Sequence, residues 1–202
     1  MRSKPSMASA IATRSKIPAE VFIGGAGDES SRLVLSYAEA RRDGLRGKRD
    51  VHYLPHWKIT AAQRLVCDLA SAGHPLALIG HSWGADTVLR AAGALDSLAL
   101  MVGADPVAKP VTRIAARDGR PASAERVVHV DADPHTYDRS DYVKAAGFLT
   151  GGGVPRAFQS ADARIETQLN HWNFAGMMKA RGPDGLSAED WLAAFPDRRI
   201  HK

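Results

Sequence analysis

Ser82 sits in Gly80-His81-Ser82-Trp83-Gly84, a G-x-S-x-G pattern between an apolar run over 76–79 and a stretch of helical composition over 85–92. A strand that turns this sharply into a helix forces its serine into strained backbone geometry and lifts the hydroxyl clear of the sheet. Gly80 and Gly84 carry no side chain, so strand and helix can approach closely. The main-chain N–H of Trp83 opens the helix beside the hydroxyl, where it can meet a developing oxyanion. The chemistry this suits is nucleophilic attack on an acyl carbon. A serine hydroxyl reacts only when a base takes its proton and a third group holds that base. Of eight histidines, His135, His171 and His201 follow the pattern on loops, whereas His129 falls within a strand. The candidate acids are Asp105, which ends a fourth strand, and Asp131 and Asp133, which end a fifth. Each could instead serve only to cap a turn.

The elements that must position these groups alternate along the chain. Apolar runs predict strands over 20–24, 50–54, 76–79, 98–102 and 126–130. Helix-face spacing predicts helices over 30–43, 59–71, 85–92 and 174–179, and a last one over 187–194 with Ser187 and Asp190 as a capping box. Five strands separated by helices imply a mainly parallel sheet covered on both faces, a three-layer α/β/α sandwich in a single domain. Right-handed crossovers then gather the loops after each strand at one edge of the sheet. Ser82, Asp105, Asp131, Asp133 and the loop Gly24-Gly25-Ala26-Gly27 all fall at that edge. Residues 136–168 show no long periodic element and are the one stretch that could serve as a lid.

The pattern around Ser82, Val102-Gly-Ala-Asp-Pro-Val107 and Asn170-His-Trp-Asn-Phe174, in that order, resemble the α/β-hydrolase superfamily. More narrowly they resemble small bacterial lipase- or esterase-like members with a cutinase-sized core, over residues 20–179. The resemblance implies a minimal α/β-hydrolase fold and cleavage of a carboxylic ester by Ser82, His171 and an acid through an acyl-enzyme. His171 is favoured because it follows the last sheet segment and precedes a helix, as the family's histidine does. Asp105 is preferred as the acid because its Asp-Pro-Val continuation resembles members that place the acid early; Asp131 and Asp133 remain alternatives. Gly24-Gly-Ala-Gly resembles the family's His-Gly-x-Gly loop with Gly24 in place of histidine. That makes Ala26, or else Gly25, the second oxyanion donor beside Trp83. Trp172, next to His171, is a candidate wall for the substrate. Amide, thioester or phospholipid cleavage on the same triad, and a non-catalytic binding protein of this fold, are the alternatives.

Two other chemistries are weighed on the same residues. Gly25-Ala-Gly27 after a strand faintly resembles a dinucleotide fingerprint, but a third glycine is missing and Asp28 and Glu29 would repel a pyrophosphate. His129, Asp131, Asp133 and His135 could be drawn as a metal site, yet Asp-x-Asp before proline is more often a turn. The reading therefore calls for no cofactor and no metal.

Composition sets the frame. The 202 residues are 45% hydrophobic and 24% charged, as in an ordinary globular protein of one domain. The single cysteine, Cys67, excludes an intrachain disulfide. The net charge of +5 is partly local. Residues 1–18 read as a basic, disordered tail before a domain over 19–202, and Arg41, Arg42, Arg46, Lys48 and Arg49 form the densest basic cluster. Such a cluster is usually solvated, and it would draw the protein toward anionic lipid only weakly. No apolar run approaches the ~20 residues that span a bilayer, and the first twenty residues lack a signal-like apolar core. The expected partner is a small-molecule or lipid ester met in the cytoplasm, with peripheral lipid contact and non-classical secretion left open and no nucleic acid.

Overall fold

The computed structural model describes residues 16–109, 119–134 and 153–196. Residues 1–15 of the expected tail over 1–18, His135, His201 and the part of the candidate lid over 136–152 lie outside these residues. Six strands form one parallel sheet: β1 (Ala19–Gly24), β2 (Asp50–Pro55), β3 (Leu76–His81), β4 (Leu100–Ala104), β5 (Val127–Ala132) and β6 (Ala163–Thr167), in the order β2-β1-β3-β4-β5-β6. Among the described residues the helices are α1 (Asp28–Ser31), α2 (Leu33–Gly44), α3 (Ile59–Ser71), α4 (Gly84–Ala92), α5 (Arg156–Gln159), α6 (Phe174–Lys179) and α7 (Ala188–Ala194). The chain is thus an α/β protein. The order also locates the site. From β1 the chain moves one way to β2, then crosses back to β3 and continues the other way, so β1 and β3 flank the switch point where crevices open in such sheets.

Period-two alternation divides the strand side chains between two apolar clusters. Val21, Ile23, Leu76 and Leu78 pack with Ala62 and Val66 of α3, Ala85 and Val88 of α4, and Phe158 of α5. Phe22, Ala77, Ile79 and Val102 pack with Val34 and Ala38 of α2, Phe174 and Met177 of α6, and Trp191 and Leu192 of α7. Every residue of β3 is buried, as a strand with neighbours on both edges and both faces must be.

Several elements differ from their sequence expectation. The sheet has a sixth strand, β6, within 136–168. Only Ile165 among its five residues is fully buried, so the apolar signal is one residue deep. β4 runs two residues later than 98–102. Leu98 makes only an isolated bridge to Ala124, while Gly103 and Ala104, which look like loop, pair with His129 and Val130. β5 likewise extends through Asp131, opposite Glu166 of β6. The helix expected over 30–43 is broken at Arg32, at φ 55°. There the Asp28 carboxylate accepts from the N–H of Val34 at 2.8 Å and of Leu35 at 3.3 Å, capping α2 afresh. The capping box on α7 forms as expected: Asp190 N–H donates to Ser187 Oγ at 3.1 Å and Ser187 N–H to Asp190 Oδ2 at 2.9 Å.

The basic cluster is not a solvated patch as a whole. Arg41 and Arg49 reach the fully buried Glu20 of β1, Arg42 Nε donates to the Val51 carbonyl at 2.8 Å, and Arg49 lies 4.7 Å over the Phe195 ring. These guanidiniums staple α2 and the loop after it to the sheet. Arg46 is the outward-facing arginine of the set, 86% exposed. Among the described residues no helix is long and apolar enough to cross a membrane.

Candidate active site

Ser82 follows β3 directly and adopts φ 50°, a left-handed conformation that costs a non-glycine residue about 1–3 kcal/mol. Its surroundings hold it there. The Ser82 N–H donates to Ala104 O of β4 at 3.2 Å, and its carbonyl accepts from Ala85 N–H at 3.0 Å and Val107 N–H at 3.2 Å. The expected glycines have the expected reason. A Cβ at Gly80 would lie 2.6 Å from Ala85 Cα, and one at Gly84 would run into the carbonyls of Ile23 and Gly24. The strand–turn–helix geometry of the G-x-S-x-G pattern is therefore present, with Trp83 as the N-cap residue of α4.

The second of those carbonyl bonds ties Ser82 to the loop after β4. In that loop Asp105, 3% exposed and itself left-handed at φ 43°, accepts a hydrogen bond of 2.5 Å from Nδ1 of His171. His171 is 2% exposed. Its loop is braced by both neighbouring asparagines: Asn170 Oδ1 accepts from Trp172 N–H at 3.1 Å, and Asn173 caps α6 by accepting from Gly176 N–H at 2.9 Å. The His81 ring, adjacent to Ser82 in the chain, lies 4.6 Å from the His171 ring. Asp105 is thus the partner of His171, the loop that carries Asp105 is bonded to the Ser82 carbonyl, and the bond to Asp105 leaves Nε2 as the histidine nitrogen able to take a proton.

Asp131 and Asp133 stand elsewhere. Asp131 lies within β5 and pairs with Arg164 of β6 at 2.8 Å, and Asp133 is exposed. Neither is the partner of His171. Of the four residues weighed as a metal site, His135 lies outside the described residues and Asp133 is exposed. His129 is buried with its ring 6.4 Å from that of Phe158, and Asp131 holds Arg164.

The loop after β1 lies against the serine. A Cβ on Gly25 would come within 2.9 Å of Ser82 Cβ, so Gly25 is the glycine that admits the elbow, and the exposed Ala26 follows it. Among the described residues, the N–H groups of Gly25, Ala26 and Trp83 donate to no protein acceptor, and so stay available to an oxyanion. The space over Gly24 is filled by Asp28 and Tyr53. A Cβ at Gly24 would meet Asp28 Oδ2 and Tyr53 Oη, each at 2.6 Å, and Tyr53 donates to that oxygen at 2.7 Å. Burial, the bond to Asp28 and its charge push the Tyr53 phenol above its ordinary range, so it remains a donor. The same carboxylate fills the N-terminus of α2, where a dinucleotide phosphate would have to bind.

Two features escaped the sequence reading. One is Asp28 as the brace of this loop; the signal was its position four residues after Gly24 beside a glycine turn. The other is His81, which occupies a variable position of the pattern. At the rim, Trp172 is 40% exposed and presents its ring edge-on to His171 at 5.1 Å. Trp83 meets His56 at 5.5 Å.

No family model matches the chain, and no curated protein matches it. A solved structure named m3DLH is similar at 18% identity and a TM-score of 0.36, over 91% of this chain and 86% of that one.

Proposed function

We propose that this protein is a serine hydrolase that cleaves a carboxylic ester, on a minimal α/β-hydrolase fold of three layers. The observation that carries the reading is the buried 2.5 Å bond between His171 Nδ1 and Asp105, on a loop fastened to the carbonyl of Ser82. A carboxylate buried this completely costs desolvation that one hydrogen bond from an imidazole does little to offset. A role in orienting a base accounts for it. The left-handed Ser82 and the two apolar clusters on opposite faces of the sheet support the fold assignment.

In the reaction, Ser82 Oγ attacks the ester carbonyl carbon as His171 Nε2 takes the hydroxyl proton. Asp105 holds the imidazole and stabilises the imidazolium. The negative oxygen of the tetrahedral intermediate is met by the N–H of Trp83 and by that of Gly25 or Ala26. Collapse breaks the bond to the alcohol oxygen, which leaves with the proton from His171. Water then gives its proton to His171 and attacks the acyl-enzyme, and the carboxylic acid departs as Ser82 recovers its proton. Trp172 offers an apolar flank for the acyl or alcohol group.

A fluorophosphonate, which is attacked only by an activated serine, tests the reading. The expected result is one adduct on Ser82, located by peptide mass spectrometry and lost in His171→Ala. Folded protein that takes up no reagent would overturn it in favour of a binding protein of the same fold.

A further inference from the structure

His81 is none of Ser82, His171 and Asp105, yet its side chain meets His171, Phe174 and the loop at Gly25. It is the last residue of β3, in register with Ala104 of β4, so its backbone is held by the ladder rather than by a loop. It is 3% exposed. Its Nε2 lies 2.8 Å from the main-chain carbonyl of His171. A carbonyl only accepts, so His81 carries its proton on Nε2 and donates. Its ring lies 4.6 Å from the His171 ring at 36°, while Phe174 closes it edge-on at 5.5 Å. A Cβ on Gly25 would meet His81 Nδ1 at 3.1 Å, so the same imidazole abuts the oxyanion loop.

We infer that His81 is a positioning residue, which holds the backbone of His171 with its Nε2–H and supports the His171 imidazole with its ring. The inference rests on the hydrolase reading above. An aliphatic side chain could fill the same volume but could not hold the carbonyl. Nor does the second imidazole compete for the proton. Burial first, and then the positive charge of a protonated His171, lower its pKa to about 4, against the smaller opposing effects of the bond to the His171 carbonyl and the charges of Asp105 and Asp28. His81 therefore stays neutral at neutral pH.

The test compares His81→Gln with His81→Asn and His81→Leu in the full chain. The glutamine amide nitrogen stands as many bonds from Cα as Nε2 does and can reach the carbonyl; asparagine is one bond short and leucine has no donor. Two readouts are taken on protein shown to be folded by urea titration: the rate of fluorophosphonate labelling at Ser82, and the downfield proton resonance of His171 Nδ1–H in its short bond to Asp105. The expected result is a roughly tenfold slower labelling in the Asn and Leu variants, the effect of one lost buried hydrogen bond, with the resonance broadened or lost. In the Gln variant both return to within about threefold of the native protein. Native rates and an intact resonance in Asn and Leu would overturn the inference, as would equal losses in all three variants. If native protein is not labelled at all, the hydrolase reading has failed, and the resonance alone decides whether His81 positions His171.

Discussion

The chain leaves β4 and β5 through the same three residues, Ala104-Asp105-Pro106 and Ala132-Asp133-Pro134. Each aspartate N–H donates to the next strand at 2.7 Å, Asp105 to Val130 O and Asp133 to Thr167 O. The outcomes diverge. Asp105 turns left-handed, buries its carboxylate and accepts from His171, whereas Asp133 stays exposed and Asp131 answers an arginine that is itself half-exposed. The cause is position in the sheet. β4 adjoins the strand that carries Ser82, while β5 lies one strand farther, with neighbouring strands about 4.8 Å apart. The shared Ala-Asp-Pro sequence at a strand end does not decide which aspartate meets His171; the strand's distance from β3 does.

The strongest way to break that comparison is to neutralise one acid at a time. Asp105→Asn should lower kcat/KM for a chromogenic ester by about 10³–10⁴-fold, the scale of losing the group that orients a catalytic histidine. Asp131→Asn should stay within about twofold. The reverse ranking would move the triad acid to β5.

A second contrast uses pH. The pKa of His81 falls from 6.5 to about 4 on folding, so between these values the unfolded chain binds the extra proton and stability rises with pH. Stability present above about pH 6.5 should fall as the pH drops toward 4, by ~3 kcal/mol at most. Urea unfolding of the native protein against His81→Gln across that range measures the difference. A native stability that tracks the variant throughout would remove His81 as its cause.

Packing supplies a third, smaller effect. Gly103 of β4 lies under the Phe158 ring, which a Cβ would approach to 2.6 Å. Gly103→Ala should cost about 1–3 kcal/mol by overpacking, seen as a lowered denaturation midpoint. The smallest effect belongs to the β5 side. Arg164 is 54% exposed, and Arg164→Ala should destabilise by less than about 1 kcal/mol in the same assay. Together these would set a rigid strand end against a tolerant one.

What was legible in the sequence follows the same division. The elbow could be read because its determinants are local: two glycines, a serine, an apolar strand before and a helix after. His171 was favoured from chain order and family resemblance, and the structure pairs it with Asp105. The acid could not be separated from its rivals by the residues at the strand ends, because burial, φ and distance from β3 are tertiary properties. β6 was hidden by its exposure, with Arg164 and Glu166 facing outward and Ile165 alone fully buried. The last two residues of β4 were hidden by their size, since Gly103 and Ala104 carry almost no side-chain signal. Asp28 looked like a deterrent to phosphate; that it also fills the space over Gly24 depends on where Tyr53 of β2 comes to rest.

The Ser82 N–H bonds to β4, and the Val107 N–H from the loop after β4 bonds back to Ser82. Ser82 and Asp105 therefore hang on a single ladder, and a slip of one residue between β3 and β4 would turn every side chain to the wrong face. Under the proposed function, reactivity toward a serine-directed reagent would be a register gauge. During refolding, labelling competence should appear when the central ladder closes, making the chemical step a clock for sheet assembly.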